Sequence, residues 1–166
     1  MKEQYINECK QIQQNCLYTA EAHHQIAVFN RGLAYIFQVV PAIVAAISGS
    51  LVASGSQPTS KLWITVVASV ITAITSVLDP NKKYQEHLNA ARGFTALKHD
   101  ARFLHEAQSH KLSDEAFTVC VEHLHEKYND LLKATPATNK WAMRCAQKVV
   151  KADTHEPDRN KDGSLK

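Results

Sequence analysis

Nine histidines and four cysteines are where metal binding or nucleophilic catalysis would have to start, and their spacing supplies neither. His123 and His125 stand two apart, so on a helix they point in different directions. His125-Glu126 opens like the zinc motif HExxH, but Asn129 occupies the place of its second histidine. His23 and His24 are adjacent and cannot share a face. Cys9, Cys16, Cys120 and Cys145 form no CxxC pair and no metal-ligand set. All four fall on apolar helical positions, the pattern of buried, reduced thiols in a cytoplasmic compartment. No Ser/His/Asp or Cys/His order is recognisable, and the five glycines build no phosphate-cradling loop. Asp158, Asn160, Asp162 and Gly163 match the opening of an EF-hand loop. Its closing Glu would fall at about position 169 with a helix to follow, so the match reads as coincidence in a polar tail. No enzyme, cofactor or metal site is expected.

Hydroxyls are the chemistry that does recur with a period. Thr65, Ser69, Thr72 and Ser76 follow one another at steps of four, three and four, one face of a helix. Ala42, Ala46, Gly49 and Ala53 give the preceding segment a face of small residues. In lipid, small residues let helices approach closely, and hydroxyls bond across helices or line water. The hydroxyl face therefore either packs on the neighbouring span or faces the centre of an oligomer and wets a pore. Two helices cannot enclose a channel alone, so the second reading requires homo-oligomerisation.

Two charge-free blocks must position these faces. The mean hydropathy of −0.29 looks soluble only because the apolar residues are concentrated in 32–78 between polar flanks. Residues 32–53 and 62–78 carry no charge. As helices they reach roughly 33 Å and 26 Å at 1.5 Å per residue, against a hydrocarbon core of about 30 Å. The spacing predicts an all-α membrane protein: a two-span transmembrane hairpin continuing into a cytoplasmic bundle of long antiparallel helices. The first 31 residues are polar, so no cleavable signal peptide is expected. Pro41 lies inside the first span and should bend it. Lys61 is the one basic residue between the spans, against Arg31, Lys82, Lys83 and Arg92 outside them. That bias places both termini in the cytoplasm. The net charge of +3 is too small to argue for nucleic acid.

The flanks read as four helices, near 2–31, 80–109, 113–134 and 136–152, within one domain over 1–152; the polar tail 153–166 is expected to be disordered. The first carries the stripe Tyr5, Cys9, Ile12, Cys16, Thr19 or Ala20, His23, Ile26 or Ala27, and Asn30. The second carries His87, Ala90, Phe94, Leu97, Ala101 and Leu104, a near-heptad seam. Ser113 is a good N-cap, with Leu112 and Phe117 as a hydrophobic staple. Thr135-Pro136 is expected to cap and open the last helix. Counting outward from the spans puts His23 level with His87, about 13 Å from the membrane, and Arg31 level with Asp79. The prediction is that His23 faces His87 and that Arg31 pairs with Asp79, a group of candidate gate residues. The histidines serve either as polar members of a helical seam or as a regulatory pair. Lys140, Arg144, Lys148 and Lys151 make a basic stripe beside Trp141, either a solvated face or one lying on anionic lipid.

These pieces occur in a telling order. An N-terminal helix with Ala22-His23 leads to Asn30-x-Gly32 and the first span, and the second span closes on Leu78-Asp79-Pro80. Then follow the run Tyr84-Gln85-Glu86-His87-Leu88-Asn89-Ala90-Ala91-Arg92-Gly93-Phe94-Thr95-Ala96-Leu97, Ala101-Arg102-Phe103, Tyr128-Asn129-Asp130-Leu131-Leu132, Thr135-Pro136 and Trp141-Ala142. Over about residues 5–150 the chain resembles the SLATT family, the SMODS and SLOG-associating two-transmembrane effector domain. The resemblance implies a bacterial inner-membrane effector of an antiphage or conflict system. Such a protein would oligomerise, open a pore and halt phage spread through growth arrest or death. No fused nucleotide-binding domain is expected here, so the resemblance implies sensing either through the chain's own cytoplasmic helices or through a separate defence-system sensor or nucleotide-signal protein as partner. The alternative from a different class is a membrane-anchored scaffold or sensor that recruits a cytoplasmic partner without conducting.

Overall fold

A computed structural model describes residues 2–53, 63, 66, 67, 69–71, 73, 74 and 79–152. Among them every regular element is a helix. Helix α1 spans Lys2–Ala53 and α2 spans Pro80–Phe103; the chain continues from α2 through a π-helical turn, Leu104–Gln108. Helix α3 spans Asp114–Ala134 and α4 spans Lys140–Lys151. Trp63, Val66, Val67, Ser69, Val70, Ile71, Ala73 and Ile74 are also helical. The chain forms two compact units: residues 27–85, and residues 1–26 with 86–166.

The second of these units is organised by the stripes that the sequence displays. From α1 it buries Cys9, Ile12, Cys16 and Ala20; from α2, Phe94, Leu97 and Ala101; from the π-helical turn, Leu104; from α3, Phe117, Val121 and Leu124. All six positions of the α2 seam, from His87 to Leu104, are buried. Helix α3 begins as its residues require. The Ser113 hydroxyl accepts a hydrogen bond from the Ala116 amide at 3.3 Å, and Leu112 joins the core beside Phe117. Lys2 closes this end: its ammonium donates to the Leu112 carbonyl at 2.9 Å and lies 3.1 Å from the Asp114 carboxylate. Gly93 lets α2 and α3 approach. A Cβ there would stand 3.0 Å from Leu131 Cδ1.

Helix α4 starts later than expected. Thr135 caps the C-terminus of α3, its amide bonded to the Leu131 carbonyl at 3.1 Å. The proline after it holds Thr135 extended, at ψ 148°. The N-cap of α4 is Asn139, whose Oδ1 accepts from the Ala142 amide at 2.8 Å. A side-chain acceptor three residues before a free amide outweighed the proline signal. Helix α4 then buries Ala142 and Ala146 against Ala22 and Ile26 of α1. The thiols also split: Cys9 and Cys16 are buried, whereas Cys120 and Cys145 are half-buried at the edges of their helices' apolar faces.

The unit of residues 27–85 has the opposite surface. Helix α1 passes through Pro41 and contains a stretch, within Lys2–Ile47, of mean hydropathy 1.5. This helix is long and apolar enough to cross a membrane. Only 17% of that stretch is buried, whereas a core helix of a globular domain would be mostly buried. Tyr35, Ile36, Val39, Ile43 and Ile47 of α1 are exposed, as are Trp63, Val66, Val67, Val70 and Ile74. Val44, Ile47, Trp63 and Val67 line one apolar groove of about 320 Å³. Asp79 and Pro80 open α2 as N-cap and first-turn proline. Asp79 Oδ1 accepts from the Lys82 amide at 3.1 Å, and its φ of 35° is a left-handed value that Asp tolerates better than most residues.

Candidate functional site

The titratable centre of the helical bundle is a pair of imidazoles. His23, from α1, is 1% exposed, and His87, from α2, is 9% exposed. Their Nδ1 atoms are 2.9 Å apart, so one ring donates and the other accepts, and the two carry different tautomers. His23 therefore faces His87, as the sequence predicts. Both rings belong to the stripes that build the core, so burying the stripes buries the histidines.

Aromatic rings continue from this pair. The His23 ring lies over Phe94, centroids 5.6 Å apart and planes at 17°. Phe94 in turn meets Tyr128 of α3 edge-on at 6.4 Å and 70°. His87, His23, Phe94 and Tyr128 thus link α2, α1 and α3 through one run of rings.

Burial controls the protons here. The His23 imidazole is pushed down to about 4, first by desolvation and then by the facing His87. His87 is also lowered by desolvation, with Glu86 opposing. Both rings are therefore neutral at pH 7, and two protonated rings would point N–H at N–H. Desolvation raises the Tyr128 phenol, assisted by Cys16 and opposed by a hydrogen bond from Asn15. Cys9 and Cys16 are pushed up to about 11 and about 12, chiefly by burial. As neutral thiols they make poor nucleophiles and ligands.

The other expected residues fall as follows. Among the described residues no ion pair joins Arg31 to Asp79; the Asp79 carboxylate is taken by the first turn of α2, and Arg31 is exposed. Of the hydroxyl face, Ser69 is described, and it is helical and exposed; Thr65, Thr72 and Ser76 lie outside the described residues. Ala42 and Ala46 are exposed on α1. Gly49 and Ala53 belong to α1, and their surroundings lie outside the description. The loop with Lys61 and the tail from 153 lie outside it as well. Lys140, Arg144, Lys148 and Lys151 are all exposed on α4, and Trp141 is 48% exposed beside them. Among the described residues no group of three or more His, Cys, Asp or Glu is placed to hold a metal ion.

No family model, curated protein or solved structure matches the chain.

Three polar contacts escaped the sequence reading. His105 Nε2 meets Gln13 Oε1 at 2.7 Å between the π-helical turn and α1. His125 lies 3.5 Å from Glu8. Glu21 is buried on α1 and accepts from Gln25 at 2.6 Å. His125 and Glu8 are both on faces beside an apolar stripe, a signal that a search for long-range pairs at stripe edges would find. Nothing in the sequence distinguishes Glu21 from the exposed acids around it.

Proposed function

We propose that this protein is a pore-forming membrane effector. Residues 32–53 and 62–78 would cross the bacterial inner membrane as a hairpin with both termini in the cytoplasm, and several copies would surround a path for ions. The observation that carries the reading is the exposed apolar surface of the charge-free blocks within the unit 27–85. Fully burying one large apolar side chain is worth about 1.5–3 kcal/mol. Among the described residues of blocks 32–53 and 62–78, ten such side chains stand 41–69% exposed, so in water they would forgo of order 10 kcal/mol, comparable to the whole stability of a domain. A lipid environment removes that penalty. The shared groove of Val44, Ile47, Trp63 and Val67 supports a second helix running beside α1.

The hydroxyl face supplies the polar lining such a path needs. Ser69 already lies exposed, and Thr65, Thr72 and Ser76 follow it by periodicity. The resemblance to the SLATT family supports the defence context: a trigger relayed by a separate sensor rearranges the bundle, and the hairpins respond. The neutral His23–His87 bond sits in that bundle, between the two helices that continue into the hairpin sequence, where a rearrangement would be felt. No catalytic chemistry is assigned. The second class, an anchored scaffold, shares the same membrane segment but not the hydroxyl requirement. Replacing Thr65 and Thr72 by Val and Ser69 and Ser76 by Ala separates the two. A pore loses ion flux while insertion and folding are kept; an anchor keeps its phenotype unchanged. Membrane fractions washed with alkaline carbonate should retain the chain, and its release would end both readings.

A further inference from the structure

One groove of the helical bundle is left open. It runs between α1 and α2 and holds about 520 Å³. Leu17, Ala20, Leu88 and Ala91 give it an apolar floor, and Arg92 and Lys98 add cations to its lining. The acid of its wall, Glu21, is buried and already accepts from Gln25 at 2.6 Å, which leaves the lining with a cationic excess. Helix α3 packs on the other side of α2, where Gly93 meets Leu131. The outward face of α3 has the opposite charge. Glu115, Glu122 and Glu126 recur there at helical spacing and are exposed, and Val119 among them is 63% exposed. Among the described residues no ion pair engages Arg92, Lys98 or Glu122. The acids extend over about 16 Å of α3, and the groove residues 88–99 over the same length of α2. Both faces belong to the unit of residues 1–26 and 86–166. They point away from each other on one bundle, so they can meet only between copies.

We infer that α3 of one copy docks its acidic face in the α1–α2 groove of a second copy, with Val119 on the apolar floor and Glu122 and Glu126 beside Arg92 and Lys98. Groove and acidic face are different surfaces, so the contact is head-to-tail, and its repetition builds a ring when the rotation closes. This rests on the assembly of several copies proposed above and not on conduction. Burial of the valine supplies affinity, and the charges around it fix partner and register.

The test uses two charge reversals of the full chain in detergent micelles, with mass read by sedimentation. Arg92→Glu with Lys98→Glu makes the groove acidic; Glu122→Lys with Glu126→Lys makes the α3 face basic. Each variant alone sets like charges against each other at every contact and should associate more than about 100-fold more weakly than the wild type, with helicity unchanged by circular dichroism. Mixed in equal amounts, the two should regain the wild-type association, because every groove then meets an α3 face of opposite charge. Misfolded chains would not be rescued by mixing. An oligomer indifferent to both reversals, or variants that stay apart on mixing, overturns this contact alone. An indifferent oligomer whose groove binds tripolyphosphate, with that binding lost in the Arg92→Glu, Lys98→Glu chain, does the same and assigns the groove to a soluble anion. A wild type that never associates overturns the assembly in the pore reading along with it.

Discussion

Acid should loosen the helical bundle through the His23–His87 pair. In the unfolded chain a histidine takes its proton near 6.5, whereas folded His23 takes it only near 4. Between those values the unfolded state holds more protons, so stability falls as pH falls through that window and is fully present above it. Going from pH 7 to pH 5 removes about 2 kcal/mol through His23 alone, at 1.36 kcal/mol per unit. His87 shifts in the same direction and adds to the loss. The geometry fixes the sign independently: at 2.9 Å the Nδ1 atoms share one proton, and a second breaks the bond. The charged group beside the pair is Glu86, which opposes the fall at His87; across Phe94 stands Tyr128, neutral over this range. For a chain of this size about 2 kcal/mol corresponds to roughly 4–8 °C in Tm. The assay is thermal unfolding followed at 222 nm in a mild detergent, for the wild type and for His23→Leu with His87→Leu. The wild type should lose that interval on acidification. The double variant should lose less, retaining only contributions such as that of His105, which is also lowered by burial. Equal losses in both proteins would refute the assignment of the proton to this pair.

Three further outcomes follow from the packing. Gly93→Leu should destabilise the bundle by about 1–3 kcal/mol through overpacking against Leu131, while Gly93→Ala should lie within about 1 kcal/mol of the wild type, because helix propensity offsets a small shift of Leu131; denaturant midpoints measure both. Asn139→Ala removes the α4 cap at a cost of about 1 kcal/mol, and hydrogen exchange should speed up in the first turn of α4 and not in α3. Alkylation at pH 8 should modify Cys120 and Cys145 well before Cys9 and Cys16, whose thiols are buried and pushed up to about 11 and about 12; equal rates on the folded chain would contradict the packing.

The bundle was legible in the sequence to the extent that its helices are amphipathic. Phe94, Leu97, Ala101 and Leu104 recur at helical spacing, and all are buried. Ser113 could be read as a cap because Leu112 and Phe117 stand around it at hydrophobic-staple spacing. Thr135 could not, because Thr before Pro ends one helix as well as it begins another; only the three-dimensional reach of Asn139 to the Ala142 amide decides. The His23–His87 contact was within reach because equal counts outward from the two charge-free blocks set these positions level on neighbouring helices. The same count failed to pair Arg31 with Asp79, since a carboxylate at a helix start has a nearer claim on the amides of its own first turn. The π-helical widening at Leu104–Gln108 and the burial of Glu21 have no local sequence signal, because each depends on how neighbouring helices crowd the backbone.

Current through a planar bilayer tests the central claim most directly. Purified chain reconstituted into anionic lipid, with and without its cellular trigger, should give discrete conductance steps. Those steps should disappear when Thr65, Ser69, Thr72 and Ser76 are replaced by Val and Ala. A correctly inserted oligomer that carries no current under either condition contradicts the account.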